Sequence, residues 1–507
     1  MAAMALGELT DGLDGARLSD GAAAIQIGSL AYDSREARPG SLFFCVSGFQ
    51  SDGHSYAPQA VENGAAALVA ERPLGLGVPE VLVPSARVAM APLAARFYGE
   101  PARELRVAGV TGTNGKTTTA YLVRALLEAA GVQCGLLGTV KSVIGGRDRA
   151  VARTTPEAID LQADLSAMLA AGDRACAIEV SSHALALGRT DAIPFAAAVF
   201  TNLTQDHLDF HPTMEDYFLA KRLLFLPEHG EPPAASVVNV ADPYGKRLAD
   251  ELDDAITFAV EAEADYMATG LRCDHDGCRF LLRTGAGEQA MMLPMPGRFN
   301  VANALGALAA AHAMGAPLDV LIEALEVGVR VPGRFEPVDE GQDFAVLVDY
   351  AHTPDSLENV LRSARELLPA GGRVICVFGA GGDRDRGKRP LMGSIAVSLA
   401  EEVIVTSDNP RSEDPEAIIT EIFTGIHDFV PERHPGGGYT ANGVPDRRVA
   451  IEFAVADAHP GDVVVIAGKG HEQGQEFEGG RKLPFDDVTV AREALKARAQ
   501  GLPVGAR

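Results

Sequence analysis

At 507 residues, 47% of them hydrophobic and 22% charged, the chain is long enough for several packed cores and has the composition of a folded protein. Its net charge of −25 argues against non-specific nucleic-acid binding, which needs a surplus of Lys and Arg. No run of about 18 apolar residues occurs, so no membrane span is expected.

Residues 1–15 carry no basic stretch ahead of a long apolar core, which is not the pattern of a secretory signal. The six cysteines are scattered. Cys273 and Cys278 bracket His275 without a second ligand pair at metal spacing, so a loop or hairpin is expected there rather than a metal site. The others, such as Cys376, lie in apolar contexts and read as reduced core residues, which points to the cytoplasm.

A first unit, residues 1–102, has α/β texture. A turn after Asp33-Ser-Arg35 leads into an apolar strand at 41–46, then a loop, Gly48-Phe-Gln-Ser-Asp-Gly53. A helix is expected at 56–63 and a strand at 65–69. Gly99-Glu-Pro101 reads as a linker.

The second unit, 103–333, is organised around Gly109-Val-Thr-Gly-Thr-Asn-Gly-Lys-Thr-Thr-Thr119. An apolar run at 105–110 reads as a strand and 120–130 as a helix. Strand, glycine-rich turn and helix is the context a phosphate cradle needs: backbone N–H groups point at phosphate oxygens and the helix N-terminus adds partial positive charge. Lys116 would reach the outer phosphates and the Thr117 hydroxyl would hold Mg²⁺. The strict pattern asks for Gly where Val110 stands; Gly112 and Gly115 remain. Thr154-Thr155-Pro156 reads as the N-cap of a helix at 157–169. A buried-type strand at 176–180 contains Glu179, a carboxylate whose burial is costly unless it is paired or cation-bound. Another strand, 196–200, runs into Asp206, His207, Asp209 and His211, at the strand end where ligands sit in open α/β sheets. In the following helix, 214–226, Lys221 reads by pattern alone as solvated. Asn239 and Asp242 read as turn residues or ribose contacts. Gly297-Arg-Phe-Asn300 opens an alanine-rich helix.

After a second linker, 331–336, the third unit (334–507) alternates strands at 344–349, 373–378, 402–406 and 462–467 with helices at 354–368, 390–400, 415–426 and 448–456. This predicts a mostly parallel sheet with helices on both faces. Four polar loops, at 350–355, 379–389, 407–411 and 468–472, fall at strand ends on one sheet edge, as a site would.

Taken together, Thr111-Gly-Thr-Asn-Gly-Lys-Thr117, Glu179-Val-Ser-Ser-His183, Asn202-Leu-Thr-Gln-Asp-His-Leu-Asp209 and Asp408-Asn-Pro-Arg411 resemble the Mur ligases over nearly the whole chain. The resemblance implies an N-terminal α/β domain for a UDP-sugar, a central P-loop-type α/β ATPase and a C-terminal Rossmann-like α/β domain for an amino acid. It implies ATP as co-substrate, Mg²⁺ as cofactor and an acyl-phosphate route to an amide. By resemblance, the nucleotide side comprises Gly112, Thr113, Asn114, Gly115, Lys116, Thr117, Thr118, Asn300, Arg334, His352 and Asp355. Thr117, Glu179, His207 and a carbamylated Lys221 serve the metal. UDP-sugar contacts fall to Ser34, Phe49, Gln50, Ser51, Thr154, Thr155, Ser181 and Arg189. Two positions depart from the family: Arg153 stands where Asn is often found, and Leu187 where Gln is.

The amino-acid side comprises Arg384, Asp408, Asn409, Pro410, Arg411, Gly468 and Glu472. Arg411 offers a planar fork for a distal carboxylate, which meso-diaminopimelate has and lysine lacks. The resemblance therefore favours diaminopimelate, with the UDP-muramoyl dipeptide as acceptor. The sequence does not give the oligomeric state; a monomer is the expectation. A folylpolyglutamate synthase-like ligase and a nucleotide-dependent switch are the competing readings. The separate N-terminal unit argues against the first, and the strand-end loops of the third unit argue against the second.

Overall fold

The computed structural model describes residues 3–48, 51–151, 153–208, 210–274, 276–429 and 438–502. Their strands form three main sheets in a three-domain α/β architecture.

In the first sheet Ser29–Ala31, Ser41–Phe44, Ala65–Ala70 and Glu80–Leu82 lie parallel in that order, and Arg17–Leu18 closes one edge antiparallel. Both faces are apolar because strand side chains alternate. Leu42, Phe44, Ala67 and Val69 pack with residues of the helix Ala86–Phe97, while Phe43, Cys45 and Leu68 pack with those of Ala57–Glu62.

The second sheet has 11 strands. Arg106–Thr111 lies between Ala175–Glu179 and Ala197–Phe200, all parallel. Parallel pairing continues outward to Cys134–Leu137 on one side and to Tyr266–Asp274 on the other. Each end is finished by antiparallel strands. One of these, Gly277–Thr284, buries Phe280 and Leu282 and exposes Arg279, Leu281 and Arg283, the period-two pattern of a half-buried strand. The expected hairpin forms between Cys273 and Cys278; His275 lies outside the described residues. These two cysteines are disulfide-bonded, a pairing the sequence reading does not include, whereas Cys45, Cys134, Cys176 and Cys376 are free and buried.

The helix expected to be capped by Thr154 and Thr155 starts later, at Ala158–Ala171, with Glu157 in the cap position and no side-chain cap bond. The Thr155 hydroxyl is engaged elsewhere: it donates to the Glu179 carbonyl at 2.8 Å and accepts from the Ser181 N–H at 3.1 Å. A tertiary bond has won over the local one.

In the third sheet Ala345–Asp349, Val463–Ala467, Val374–Phe378 and Glu402–Val405 are neighbours in that order and parallel. Parallel strands bring the loops after all four to one edge, where crevices form in open α/β sheets.

Candidate active site

The strand Arg106–Thr111 delivers the glycine-rich loop into the helix Lys116–Ala129. Gly112 (φ +148°) and Gly115 (φ +85°) adopt backbone angles that side chains rarely tolerate. Added Cβ atoms would lie 1.8 Å from Thr201 Oγ1 and 2.3 Å from Asn303 Oδ1 respectively. The end of the neighbouring strand pins the loop: Thr113 N donates to Asn202 O, Asn114 N to Asn202 Oδ1, and Thr201 Oγ1 to Asn114 O. Lys116 curls back to donate to the Gly112 and Thr113 carbonyls at 2.9 and 2.8 Å. Its burial pushes the ammonium pKa down, against the pull of Glu179 and Asp206. Thr118 is buried in the first helical turn.

Glu179 is 0% exposed, and its burial is compensated by donors. Thr117 Oγ1 and Thr139 Oγ1 donate to Oε2 at 2.9 and 3.0 Å, and the Thr139 N–H donates to Oε1 at 2.8 Å. Arg334, from the third unit, donates to Thr117 Oγ1 at 2.8 Å.

The expectation of a solvated Lys221 is corrected: the side chain is 1% exposed. Tyr217, Phe218, Ala220 and Lys221 are buried within the helix Met214–Arg222. The i, i+4 spacing of Tyr217 and Lys221 is the sequence signal that places the lysine inward. Its Nζ donates to Gly112 O at 2.8 Å and lies 4.7 Å from the Tyr217 ring centroid. Burial, with Lys116 nearby, drives its pKa well below the usual lysine value.

His207 has φ +54° and lies with Nε2 3.4 Å from Asp206 Oδ2. Burial lowers its pKa to about 4, against the pull of Asp206. Burial would raise the Asp206 carboxyl, but His207, His352 and Lys116 hold it below its ordinary value. His183 packs its ring 5.0 Å from that of His207, and His211 Nε2 sits 2.9 Å from Ser182 Oγ. Asp209 lies outside the described residues.

A cavity of about 690 Å³ gathers Thr113 to Thr118, Glu179, His207, Lys221, Arg334 and His352 with Thr154, Thr155, Ser181 and Arg189. Arg189 donates to Thr155 O at 3.1 Å and pairs with Glu157 at 2.7 Å. Arg153 also lines this space, whereas Leu187 lines a smaller one elsewhere. Asn303 lines it and contacts the loop at Gly115; Asn300, expected on the nucleotide side, is buried outside the lining and donates to Pro296 O at 2.8 Å. Asn239 lines the cavity and donates to Thr201 O; Asp242 caps the helix Pro243–Glu251. Ser34 is bonded within its own domain, to Gln59 at 2.7 Å, and Ser51 is exposed; neither lines the cavity. Phe49 and Gln50 lie outside the described residues.

A second cavity, of about 840 Å³, is lined by Arg384, Asp408, Asn409, Arg411, Gly468 and Glu472, together with Asp355. Pro410 is in the loop but not in the lining. Glu472 Oε2 accepts from Asn409 Nδ2 and from Lys469 Nζ, each at 2.8 Å. Lys469, which the sequence reading passed over, is 0% exposed. Arg411 is already partly engaged: Nε donates to Glu476 Oε2 at 3.1 Å and Nη1 to Gly382 O at 2.7 Å. The two cavities share His183, Asp206, His207, Tyr350, His352 and Thr353 as lining, so they meet at one junction.

Known proteins resemble this chain in sequence and in fold. Residues 26–98 match the Mur ligase family catalytic domain, 110–311 the Mur ligase middle domain, and 333–470 the Mur ligase glutamate ligase domain. The UDP-N-acetylmuramoyl-L-alanyl-D-glutamate–2,6-diaminopimelate ligase of Syntrophomonas wolfei subsp. wolfei is 46% identical over 490 residues, covering 95% of this chain and 97% of that protein. The ligase of the same name from Geobacillus thermodenitrificans is 48% identical over 477 residues, covering 93% and 95%. A solved structure of a ligase of that name superposes with a TM-score of 0.68 at 33% identity, covering 98% of this chain and all of that one. MurF from Thermotoga maritima, solved with ADP, shares the fold at TM-score 0.61 and 18% identity, covering 93% and 98%. The chain belongs to the Mur ligase family.

Proposed function

We propose that this chain joins meso-2,6-diaminopimelate to UDP-N-acetylmuramoyl-L-alanyl-D-glutamate at the expense of ATP, a step in building the peptidoglycan precursor. The observation that carries this reading is the junction of two cavities: one begins at a phosphate loop, the other ends at Arg411, and they share His183 and His207. A carboxylate is a poor electrophile, so its activation must occur where the γ-phosphoryl and the incoming amine both reach.

In this reading the loop N–H groups and Lys116 hold the phosphates, and positioning with charge neutralisation does most of the work. The glutamyl carboxylate takes the γ-phosphoryl, giving an acyl phosphate and ADP. The amine of diaminopimelate attacks the acyl carbon, and the tetrahedral intermediate collapses with loss of phosphate and a proton. Thr154, Thr155, Ser181 and Arg189 orient the acceptor. Arg411 and Arg384 bind the distal carboxylate and Glu472 the distal ammonium.

Among the described residues no three His, Cys, Asp or Glu side chains cluster as a metal cage. One carboxylate beside one hydroxyl, Glu179 and Thr117, instead suits Mg²⁺, which keeps waters and takes substrate phosphate oxygens. When bound, Mg²⁺ supplies charge neutralisation at the phosphates. His207, which lines the same cavity, would serve the same ion. Lys221, as its carbamate, would hold a second ion; the uncharged amine favoured by its burial is the form that adds carbon dioxide. A cytoplasmic monomer completes the reading, and no helix among the described residues is long and apolar enough to cross a membrane.

The test is an amino-acid panel with the UDP-muramoyl dipeptide and ATP, scored by product mass and phosphate release. Diaminopimelate should give the amide and lysine little or none. Equal use of lysine would overturn the selection, and ATP cleavage without any new amide would overturn the ligase reading.

A further inference from the structure

The hairpin Gly474–Phe477/Arg481–Pro484 forms its own two-stranded sheet, separate from the six-stranded one. An isolated two-stranded hairpin is marginal in water, so its position has to come from what it touches. Its first strand touches the loop that carries Arg411. Gln475 Nε2 donates to Asp408 O at 3.0 Å. The Glu476 N–H donates to Asn409 Oδ1 at 3.0 Å, and the Arg411 N–H donates to Glu476 O at 3.0 Å. Arg411 itself sits at φ +51°, a conformation costly for a residue with a side chain. The bridge to the hairpin strand, between Arg411 and Phe477, holds that backbone in place.

The side chain is held as well. Glu476 Oε2 takes Arg411 Nε at 3.1 Å and Gly382 O takes Nη1 at 2.7 Å. Nη2 makes no hydrogen bond to a described residue, and Arg411 lines the 840 Å³ cavity. A guanidinium tied at two of its three nitrogens presents the third in a fixed direction and loses less freedom when an anion binds.

We propose that Glu476, with the hairpin strand that carries it, is a positioning and specificity-determining residue: it splints Arg411 so that its free edge meets the distal carboxylate of the incoming amino acid. The inference rests on the ligase reading above and adds a residue to it. Glu476 does not touch the reacting atoms. Without its carboxylate the fork keeps its charge but not its direction, so a diacid and a monoacid amine become harder to tell apart.

The experiment compares wild-type, Glu476→Gln and Glu476→Asp full-length enzyme. It measures kcat and KM for diaminopimelate, ATP and the UDP-muramoyl dipeptide, and the ratio of kcat/KM for diaminopimelate over lysine. For Glu476→Gln, the KM for diaminopimelate should rise on the order of tenfold, the scale of one weakened charge-assisted hydrogen bond. The ratio over lysine should fall by a similar factor, with the KM for ATP unchanged and Glu476→Asp recovering part of the loss. An unchanged diaminopimelate KM in an active enzyme overturns the proposal and leaves the ligase reading standing. So does an equal loss toward all three substrates with a lowered melting temperature, which marks a role in folding alone. Wild-type enzyme that forms no amide with diaminopimelate overturns both.

Discussion

At the scale of single residues, the most unusual environment is that of Lys221. A lysine amine held at 1% exposure, with another lysine beside it, has lost most of the hydration that favours its charge. Its folded pKa lies below the unfolded one, so the unfolded chain binds more protons in between and stability rises with pH across that window. Gly112 O would keep Lys116 as a donor at 2.9 Å if Lys221 were removed. Lys221→Met should therefore leave the melting temperature at pH 7 equal or higher while turnover falls about 100-fold or more, the scale of losing a charge aimed at a transition state. Lys221→Ala should regain part of its activity with added formate or acetate. Near-normal turnover of the Met variant would remove the carbamate role.

Asp349 is perturbed in the opposite direction. Burial pushes its carboxyl up to about 6, against the pull of Arg334, and Oδ2 accepts the Phe335 N–H at 2.6 Å. A carboxyl whose folded pKa is raised contributes stability that is present below about 4 and lost as pH rises through about 6. Asp349→Asn keeps an acceptor for Phe335 without a titrating group. Chemical denaturation of this variant at pH 4.5 and 7 should show a gain relative to wild type that is larger at pH 7, by on the order of 2 kcal/mol. An equal effect at both pH values would show that Asp349 does not titrate in this window.

At the scale of elements, the strand Arg106–Thr111, its loop and the helix Lys116–Ala129 act as one unit that is wedged against Asn303 from a distant helix. Gly115→Ala would place a Cβ 2.3 Å from Asn303 Oδ1 at φ +85°. It should cost about 1–3 kcal/mol of stability and raise the KM for ATP, read by denaturant unfolding and by kinetics. An unaltered KM for ATP would dissociate that turn from nucleotide binding. This unit was legible in the sequence because its signals are local: an apolar run, two glycines, a lysine and a helical repeat. The parallel strands of the third sheet were legible for the same reason, as short apolar runs bounded by turns. What was not legible depends on distant partners. Thr155 looks like a cap until Glu179 and Ser181, more than 20 residues on, claim its hydroxyl. Asn300 and Asn303 are one helical turn apart, and only the packing of that helix decides which faces the loop. Lys469 and Glu476 lie in polar stretches that say nothing about the loop residues they bond, Asn409 and Arg411.

At the scale of the whole molecule, the proposed reaction requires the second and third domains to stay in register, because the glycine-rich loop is on one and Arg411 on the other. Asp355 and Arg334 both bond across to the second domain close to the glycine-rich loop. Asp355, at the start of the helix Pro354–Glu366, accepts from Asn114 Nδ2 at 2.6 Å and from Thr204 Oγ1 at 3.0 Å. Arg334 reaches across to Thr117 at 2.8 Å. Burial raises the Asp355 carboxyl, and the bonds from Thr204 and Asn114 oppose that rise. These bonds tie the third domain to the loop residue Asn114 itself, so in the proposed reading nucleotide contact and domain position are mechanically linked. Asp355→Ala removes both bonds at once, each worth about 1–3 kcal/mol when one partner is charged. The expected outcome is a larger radius of gyration by small-angle scattering in the absence of nucleotide, with kcat down about tenfold because fewer molecules hold the two cavities together. Saturating ATP with the UDP-muramoyl dipeptide should restore the wild-type radius, since ligands that touch both domains supply the missing link. If the variant keeps the wild-type radius and kcat without ligands, Asp355 is only a helix-start residue, and the alignment of the two domains is held by other contacts, such as that of Arg334 with Thr117, and by the chain link at 331–336.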